Sequence, residues 1–365
     1  MSIKCGIVGL PNVGKSSLFN ALSSAGAEAA NFPFCTIDPN VGVVPVPDQR
    51  LDKLEELVQP KQKQPTAIEF VDIAGLVKGA SEGKGKGNAF LSHIREVDVI
   101  VHVVRCFDDD DVIHVEGNVD PVRDIQIIES ELIFKDLESV ERREEKLRKQ
   151  SKSGDKTVQA QLQQVTLLRQ HLETGNPART FRRNGHSEAW SDLMLLSDKK
   201  VLYVCNVDES DLPDASDNEA VKKVMNHAAI EGTETVVVCA KIESEIAELD
   251  DEEKASFLED LGLEQSGLDR LIQAAYEKLG LITFYTAGPK EVRAWAIPKG
   301  SKAPEAAGAI HSDFERGFIR AETIKFEDYE QCKTEAAAKE QGKMRAEGRE
   351  YIVKDGDVIL FRFNV

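Results

Sequence analysis

Positive charge is the scarcest resource of this 365-residue chain. Lysine and arginine number 46 against 64 aspartates and glutamates, a formal net charge of −18. That balance excludes a protein that coats DNA or RNA by general electrostatics and confines any nucleic-acid contact to a local patch. Cysteine is sparse and scattered, at 5, 35, 106, 205, 239 and 332. There is no C-x-x-C pair and no histidine cluster at zinc spacing, so neither a disulfide framework nor a structural metal is indicated. Cys5, Cys205 and Cys239 fall in apolar runs, which fits a reducing compartment. Long hydrophobic runs are missing as well: stretches such as 97–104 are too short to span a bilayer. The first residues show no basic n-region followed by an apolar h-region. The expectation is a cytoplasmic protein with no membrane partner. No internal repeat or low-complexity tract stands out.

What is present is ordinary globular material, 41% hydrophobic and 30% charged, enough for two or three domains at roughly 150 residues each. Apolar runs at 3–8, 66–71, 97–105, 201–205 and 235–239 read as buried strands separated by helical stretches. That pattern predicts an α/β fold with a mostly parallel sheet covered on both faces. Between 124 and 197 the alternation stops. Ile125, Ile128, Leu132, Leu137 and Val140 recur at helical spacing, a polar break follows at 152–155, and Leu162, Val165, Leu168 and Leu172 resume the pattern. Two helices around a polar break predict an inserted antiparallel helical hairpin, the alternative being two surface helices. After 280 come short strands at 281–286, 292–297, 318–323, 351–353 and 358–363, with helices at 304–310 and 326–342. Asp355-Gly356 reads as a hairpin turn between two of them. The expected domains are 1–280, interrupted by 124–197, and an α+β module at 281–365.

Gly9-Leu10-Pro11-Asn12-Val13-Gly14-Lys15-Ser16 matches G-x-x-x-x-G-K-[ST], the P-loop. Glycines let backbone N–H groups turn around phosphate oxygens, Lys15 neutralises the β- and γ-phosphates, and the Ser16 hydroxyl ligates Mg²⁺. The following helix aims its N-terminus at the anion. Asp72-Ile73-Ala74-Gly75 is D-x-x-G at the end of a strand. There Asp72 would hold Mg²⁺ through water and the Gly75 N–H would face the γ-phosphate. Thr36, between the two motifs, is the natural second Mg²⁺ hydroxyl, or else a plain loop residue. Gly83–Gly87 follows D-x-x-G and reads as a switch segment in which glycine permits rearrangement.

Together GLPNVGKSS, NFPFCTIDPN and DIAGLVKGAS resemble the YchF family, the Obg-like ATPases of the translation-factor-related P-loop class. The segments at 291–295, 314–320 and 353–357 resemble that family's C-terminal TGS domain, so the likeness spans essentially the whole chain. It implies a P-loop G-domain sheet with the inserted hairpin and a TGS domain, acting as a slow Mg²⁺-dependent ATPase. Gly9, Asn12, Val13, Gly14, Lys15, Ser16 and Ser17 would cradle the phosphates. The resemblance also implies K⁺ held with help from Asn12, which otherwise only shapes the loop.

Guanine-specific relatives carry N-K-x-D, where the Asp accepts from guanine N1–H and N2–H₂. Here the text is Asn206-Val207-Asp208-Glu209. The longer Glu209 cannot take the place of that Asp, and a guanine site without its carboxylate loses much of its discrimination. N-x-x-E is also the pattern of the resembled family, which prefers ATP, with Asn206 and the Val207 backbone on adenine. The counter-reading aligns Asp208 as the specificity acid of a GTPase. Cys239-Ala240-Lys241 stands where relatives have the S-A-K base loop. The glutamine that orients water in many relatives is replaced by Leu76. The resemblance points to His114 instead, a neutral imidazole near the γ-phosphate; the alternative is a structural histidine at the hairpin root. His93 and His102 read as structural.

Between 141 and 156 there are seven basic and four acidic residues. Arg179, Arg182 and Arg183 cluster nearby, and Lys339, Lys343, Arg345, Arg349 and Lys354 gather in the C-terminal module. Such runs are commonly solvated faces. In the resembled family the cleft between hairpin and TGS domain is associated with nucleic acid, and the protein with ribosomes. The acidic stretch 243–259 reads as solvated. Besides the ATPase, a GTPase of the same fold and an ATP-sensing ribosome- or RNA-binding scaffold remain open.

Overall fold

A computed structural model of the chain describes residues 3–27, 40–73, 86–109, 114–181 and 189–364. Thr36, Gly75, Leu76, Gly83, Gly85, Arg182 and Arg183 lie outside the described residues. The strands are β1 (Lys4–Val8), β2 (Val41–Pro45), β3 (Gln62–Gln64), β4 (Ala67–Asp72), β5 (Val99–Arg105), β6 (Lys200–Asn206), β7 (Glu234–Val238), β8 (Leu281–Ala287), β9 (Glu291–Pro298), β10 (Phe318–Lys325), β11 (Arg345–Glu347) and β12 (Asp357–Phe363).

The first sheet runs β2-β4-β1-β5-β6-β7. β1 pairs in parallel with β4 and β5, and β5–β6 and β6–β7 are parallel as well. Every residue of β5 is buried, as a strand covered on both faces requires. The chain leaves β1, adds β4 on one side and then β5 on the other. Ligands bind outside the carboxyl ends of parallel strands at such a switch point.

The insertion is the expected antiparallel pair. Asp120 caps the helix Pro121–Gln150 by accepting from Arg123 N, with Pro121 in the first turn. The turn Ser151–Ser153 closes on Gly154 in the left-handed region, and Asp155 caps the return helix Lys156–Glu173. Ile133, Val140, Leu147, Val165, Leu168 and Leu172 form its core. Glu144, buried between the helices, accepts from Arg169 Nε at 2.8 Å and from Thr166 Oγ1 at 2.9 Å. Asp136 locks the hairpin's base: its carboxylate accepts from Leu196 N (2.8 Å), Ser197 N (2.7 Å) and Ser197 Oγ (2.6 Å).

The second sheet runs β11-β10-β12-β8-β9-β3, with buried clusters around Tyr285, Val292 and Ile324 and around Phe284, Ala307 and Ile359. Here the structure departs from the expected division at 280. The compact units are Met1–Val44 with Glu69–Ala275, and Pro45–Ile68 with Tyr276–Val365. The cause is β3, which pairs in parallel with β9, and the helix Gln49–Val58, whose Leu51 and Leu54 are buried beside Tyr285 and Val292. The helix expected over 326–342 is broken into Phe326–Cys332 and Glu335–Glu340, because Lys333 turns left-handed and Thr334 starts a new cap. Residues 351–353 contribute a single bridge, Lys302↔Ile352, and no strand. Asp355 therefore joins no hairpin; its Oδ1 accepts Thr283 N–H of β8 at 2.8 Å. Nor is 243–259 one solvated helix: Glu243 is buried and accepts Gly267 N–H at 2.7 Å.

Candidate functional site

β1 delivers the chain to the loop 9–14 and the helix Lys15–Ala27. The loop lies against its own sheet. A Cβ on Gly9 would come within 2.6 Å of Val103 O on β5, and a side chain on Gly14 would strike the Asn206 amide. Gly14 has φ 95° and Asn12 φ 63°, left-handed values that glycine and asparagine tolerate. The motif's second glycine is thus demanded by the protein as well as by a ligand.

Lys15 is buried, and its Nζ donates to Leu10 O at 2.6 Å. Burial pulls its pKa down to about 8, against the opposing pull of Asp72. Ser16 and Ser17 stand exposed in the first turn of the helix, where backbone donors and the helix dipole favour an anion. Asp72 ends β4 directly across from Ile7. Burial raises its pKa while Lys15 lowers it. Its Oδ1 is buried and has no hydrogen-bond partner among the described residues. A hydroxyl and a carboxylate are the hard oxygen donors that suit Mg²⁺, and an orphaned buried oxygen is a group that such an ion or its water would satisfy.

A cavity of about 700 Å³ is lined by Asn12, Gly14, Lys15 and Ser16, while Asp72 is not among its lining residues. Phe107, Asp109, Asn206, Val207, Asp208 and the segment 239–241 line it as well. Asn206, at the end of β6, is 5% exposed. Its Nδ2 donates to Val13 O at 3.0 Å and its Oδ1 accepts from Ala240 N at 3.0 Å. It therefore ties the phosphate loop to the base loop. Val207 donates its N–H to Val238 O at 3.0 Å. Asp208 Oδ1 accepts from Ser210 N (3.0 Å) and Oγ (2.8 Å), bonds that hold its carboxyl below the usual range. Glu209 is not among the lining residues, but it pairs at 3.2 Å with Lys241, which is.

His114 is also absent from the cavity wall. Its Nε2 lies 2.8 Å from Asp124 Oδ2, and its Nδ1 accepts Glu116 N–H at 3.1 Å. In this arrangement both ring nitrogens are engaged by protein groups. His102 is buried in β5, and burial pulls its pKa down to about 3; His93 is exposed on the helix Lys86–Glu96. Neither lines the cavity.

Sequence reasoning missed Phe107, Asp109, Ser244 and Glu245, which also line the cavity. Phe107 was within reach, since it follows a parallel strand at its carboxyl end. It is held by Arg105, whose guanidinium stacks 4.7 Å from the ring centroid and donates to Phe107 O at 3.0 Å and Asp109 O at 3.2 Å.

Comparison with known proteins agrees with this geometry. The family profile MMR_HSR1, "50S ribosome-binding GTPase", matches residues 4–153. YchF-GTPase_C, "Protein of unknown function (DUF933)", matches residues 281–364. The chain is 58% identical to the "Ribosome-binding ATPase YchF" of Bacillus subtilis (strain 168) and 55% identical to that of Escherichia coli O157:H7, with all of each chain covered. A solved structure described as that of the Schizosaccharomyces pombe YchF GTPase superposes with a TM-score of 0.89 at 40% identity, covering 99% of this chain and 98% of the other. The chain belongs to the YchF family.

Proposed function

We propose that this chain is a Mg²⁺-dependent P-loop ATPase that slowly hydrolyses ATP to ADP and phosphate as a switch, with the ribosome as its partner. The observation that carries the reading is the cavity shared by Lys15, Ser16 and the Asn206-tied base loop. Lys15 would bind the β- and γ-phosphates, and the helix N-terminus at Ser16 and Ser17 would add backbone donors. Ser16 and Asp72 would hold Mg²⁺, with Thr36 as the second hydroxyl and Gly75 N–H at the γ-phosphate. Mg²⁺, when bound, neutralises charge that spreads over the phosphoryl oxygens. K⁺ near Asn12 and a water oriented by His114, once its ring leaves Asp124, complete the proposal. The relatives' names support ATP and the ribosome.

The partner-binding element favoured by charge is the hairpin tip. Lys146, Lys149, Lys152 and Lys156 are exposed there. The basic residues of the C-terminal module, proposed as a TGS domain with an RNA contact, are more engaged: Lys343 pairs with Asp328 at 2.9 Å and Arg349 donates to Phe318 O at 3.1 Å. An RNA or ribosome contact through the tip would weaken with salt. Co-sedimentation with ribosomes in ATP, ADP and a non-hydrolysable analogue tests it, together with Lys15→Ala. Loss of turnover with binding and cellular effect intact would favour the scaffold reading instead.

One observation favours a second reading. Asp208, not Glu209, lines the cavity, as a guanine-specific acid would. Competition of unlabelled ATP and GTP for one labelled nucleotide decides, and a preference for GTP of about a hundredfold would establish the GTPase.

A further inference from the structure

His114 follows Phe107 and Asp109 along the loop after β5, yet those two line the cavity and His114 does not. Its ring is fixed by two contacts of different strength. Nδ1 accepts a backbone N–H from Glu116, so the ring hydrogen resides on Nε2 and is donated to Asp124. Both side chains of that pair are 3% exposed. A charge-assisted hydrogen bond in such surroundings is the stronger of the two contacts.

Asp124 is itself immobilised. It lies in the first turn of the hairpin helix Pro121–Gln150, and its N–H donates to Asp120 O at 3.0 Å. Its Oδ1 accepts from Arg123 Nε at 3.3 Å and Nη2 at 3.1 Å. Arg123 in turn grips Asn118, through Oδ1 at 2.8 Å and the carbonyl at 2.6 Å. The position of the imidazole is therefore set by the root of the helix whose other end carries the exposed lysines.

We infer that Asp124 is a positioning residue for His114: it ties the imidazole to the hairpin's first turn and away from the nucleotide cavity, so that hydrolysis waits on its release. This rests on the reading of His114 as the water-orienting group. A partner that engages the hairpin tip would displace a continuous helix and with it the group that holds the histidine. Slow turnover of the isolated protein follows from the same bond.

The test is a double-mutant cycle on ATP turnover with Asp124→Asn, His114→Ala and both together. Asparagine keeps the shape but replaces a charged acceptor by a neutral one, which shifts the held and released populations by about fivefold. The expected result is a kcat raised about fivefold by D124N with KM for ATP unchanged, and no gain from D124N in the H114A background. An unchanged or lowered kcat in D124N, with H114A still impaired, overturns the inference and leaves the reading of His114 standing. Wild-type turnover in H114A overturns that reading itself. If D124N does not fold, ¹⁵N spectra of the wild-type histidines decide. A slowly exchanging proton on His114 Nε2 supports the tie, and an Nδ1–H tautomer or a freely exchanging ring overturns it.

Discussion

The two ends of the cavity use their polar side chains in opposite ways. At the phosphate end, Lys15 donates to Leu10 O and Ser16 is exposed, and an oxygen of nearby Asp72 is buried without a partner among the described residues. At the base end, Asn206 is bound on both sides by backbone, Asp208 holds Ser210, and Glu209 pairs with Lys241. On the proposed function, the phosphate end would receive a ligand through these side chains together with backbone donors. The base end would serve as a frame that meets the ligand with backbone and shape. A motif can be shared by two such regions while its residues do different work in each.

Four substitutions or conditions can break that contrast. The largest expected effect is at Lys15. Lys15→Ala should lower ATP turnover by about 10²- to 10³-fold, measured by phosphate release; near-wild-type turnover would remove Lys15 from the mechanism. Next is Asn206→Ala, which leaves Val13 O and Ala240 N unsatisfied in a buried place. It should destabilise the fold by about 2–4 kcal/mol and weaken ATP and GTP alike; a selective loss of one nucleotide would make Asn206 a base reader after all.

A smaller effect is expected from pH. Burial has pulled the Lys15 pKa down to about 8, so the ammonium is present below that value and is lost as pH rises through it. ATP affinity of the free protein should fall between pH 7 and 9 by up to about tenfold. A titration that stays flat over that interval contradicts the lowered Lys15 pKa. The smallest effect is at Glu209, whose pair with Lys241 is well exposed. Glu209→Ala should change the ratio of ATP to GTP affinity by less than about twofold; a tenfold change would return Glu209 to the site.

Much of the phosphate end was legible because its chemistry is local: a strand, eight residues of motif and a helix lie consecutively in the chain. The parallel strands were legible from their apolar runs for the same reason. What escaped depends on distant partners. Asn206 has the residue type of a base reader, and nothing in its neighbours shows that its amide is taken by Val13 and Ala240, 193 and 34 positions away. The family resemblance pointed to His114, while its orientation is set by Asp124, ten positions away. Segment 45–68 was assigned to the first domain because β3 is polar and sits at a sheet edge, where charged and polar strands are normal. Its membership is decided by pairing with β9, which no apolar pattern announces.

The contrast between the two ends is tested most directly by measuring thermal unfolding and ATP affinity together on Lys15→Ala and Asn206→Ala. The account predicts that Lys15→Ala loses ATP affinity while its Tm stays at the wild-type value, and that Asn206→Ala loses both. A Lys15→Ala protein that melts early while still binding ATP, or an Asn206→Ala protein that keeps its Tm while losing ATP, would contradict it.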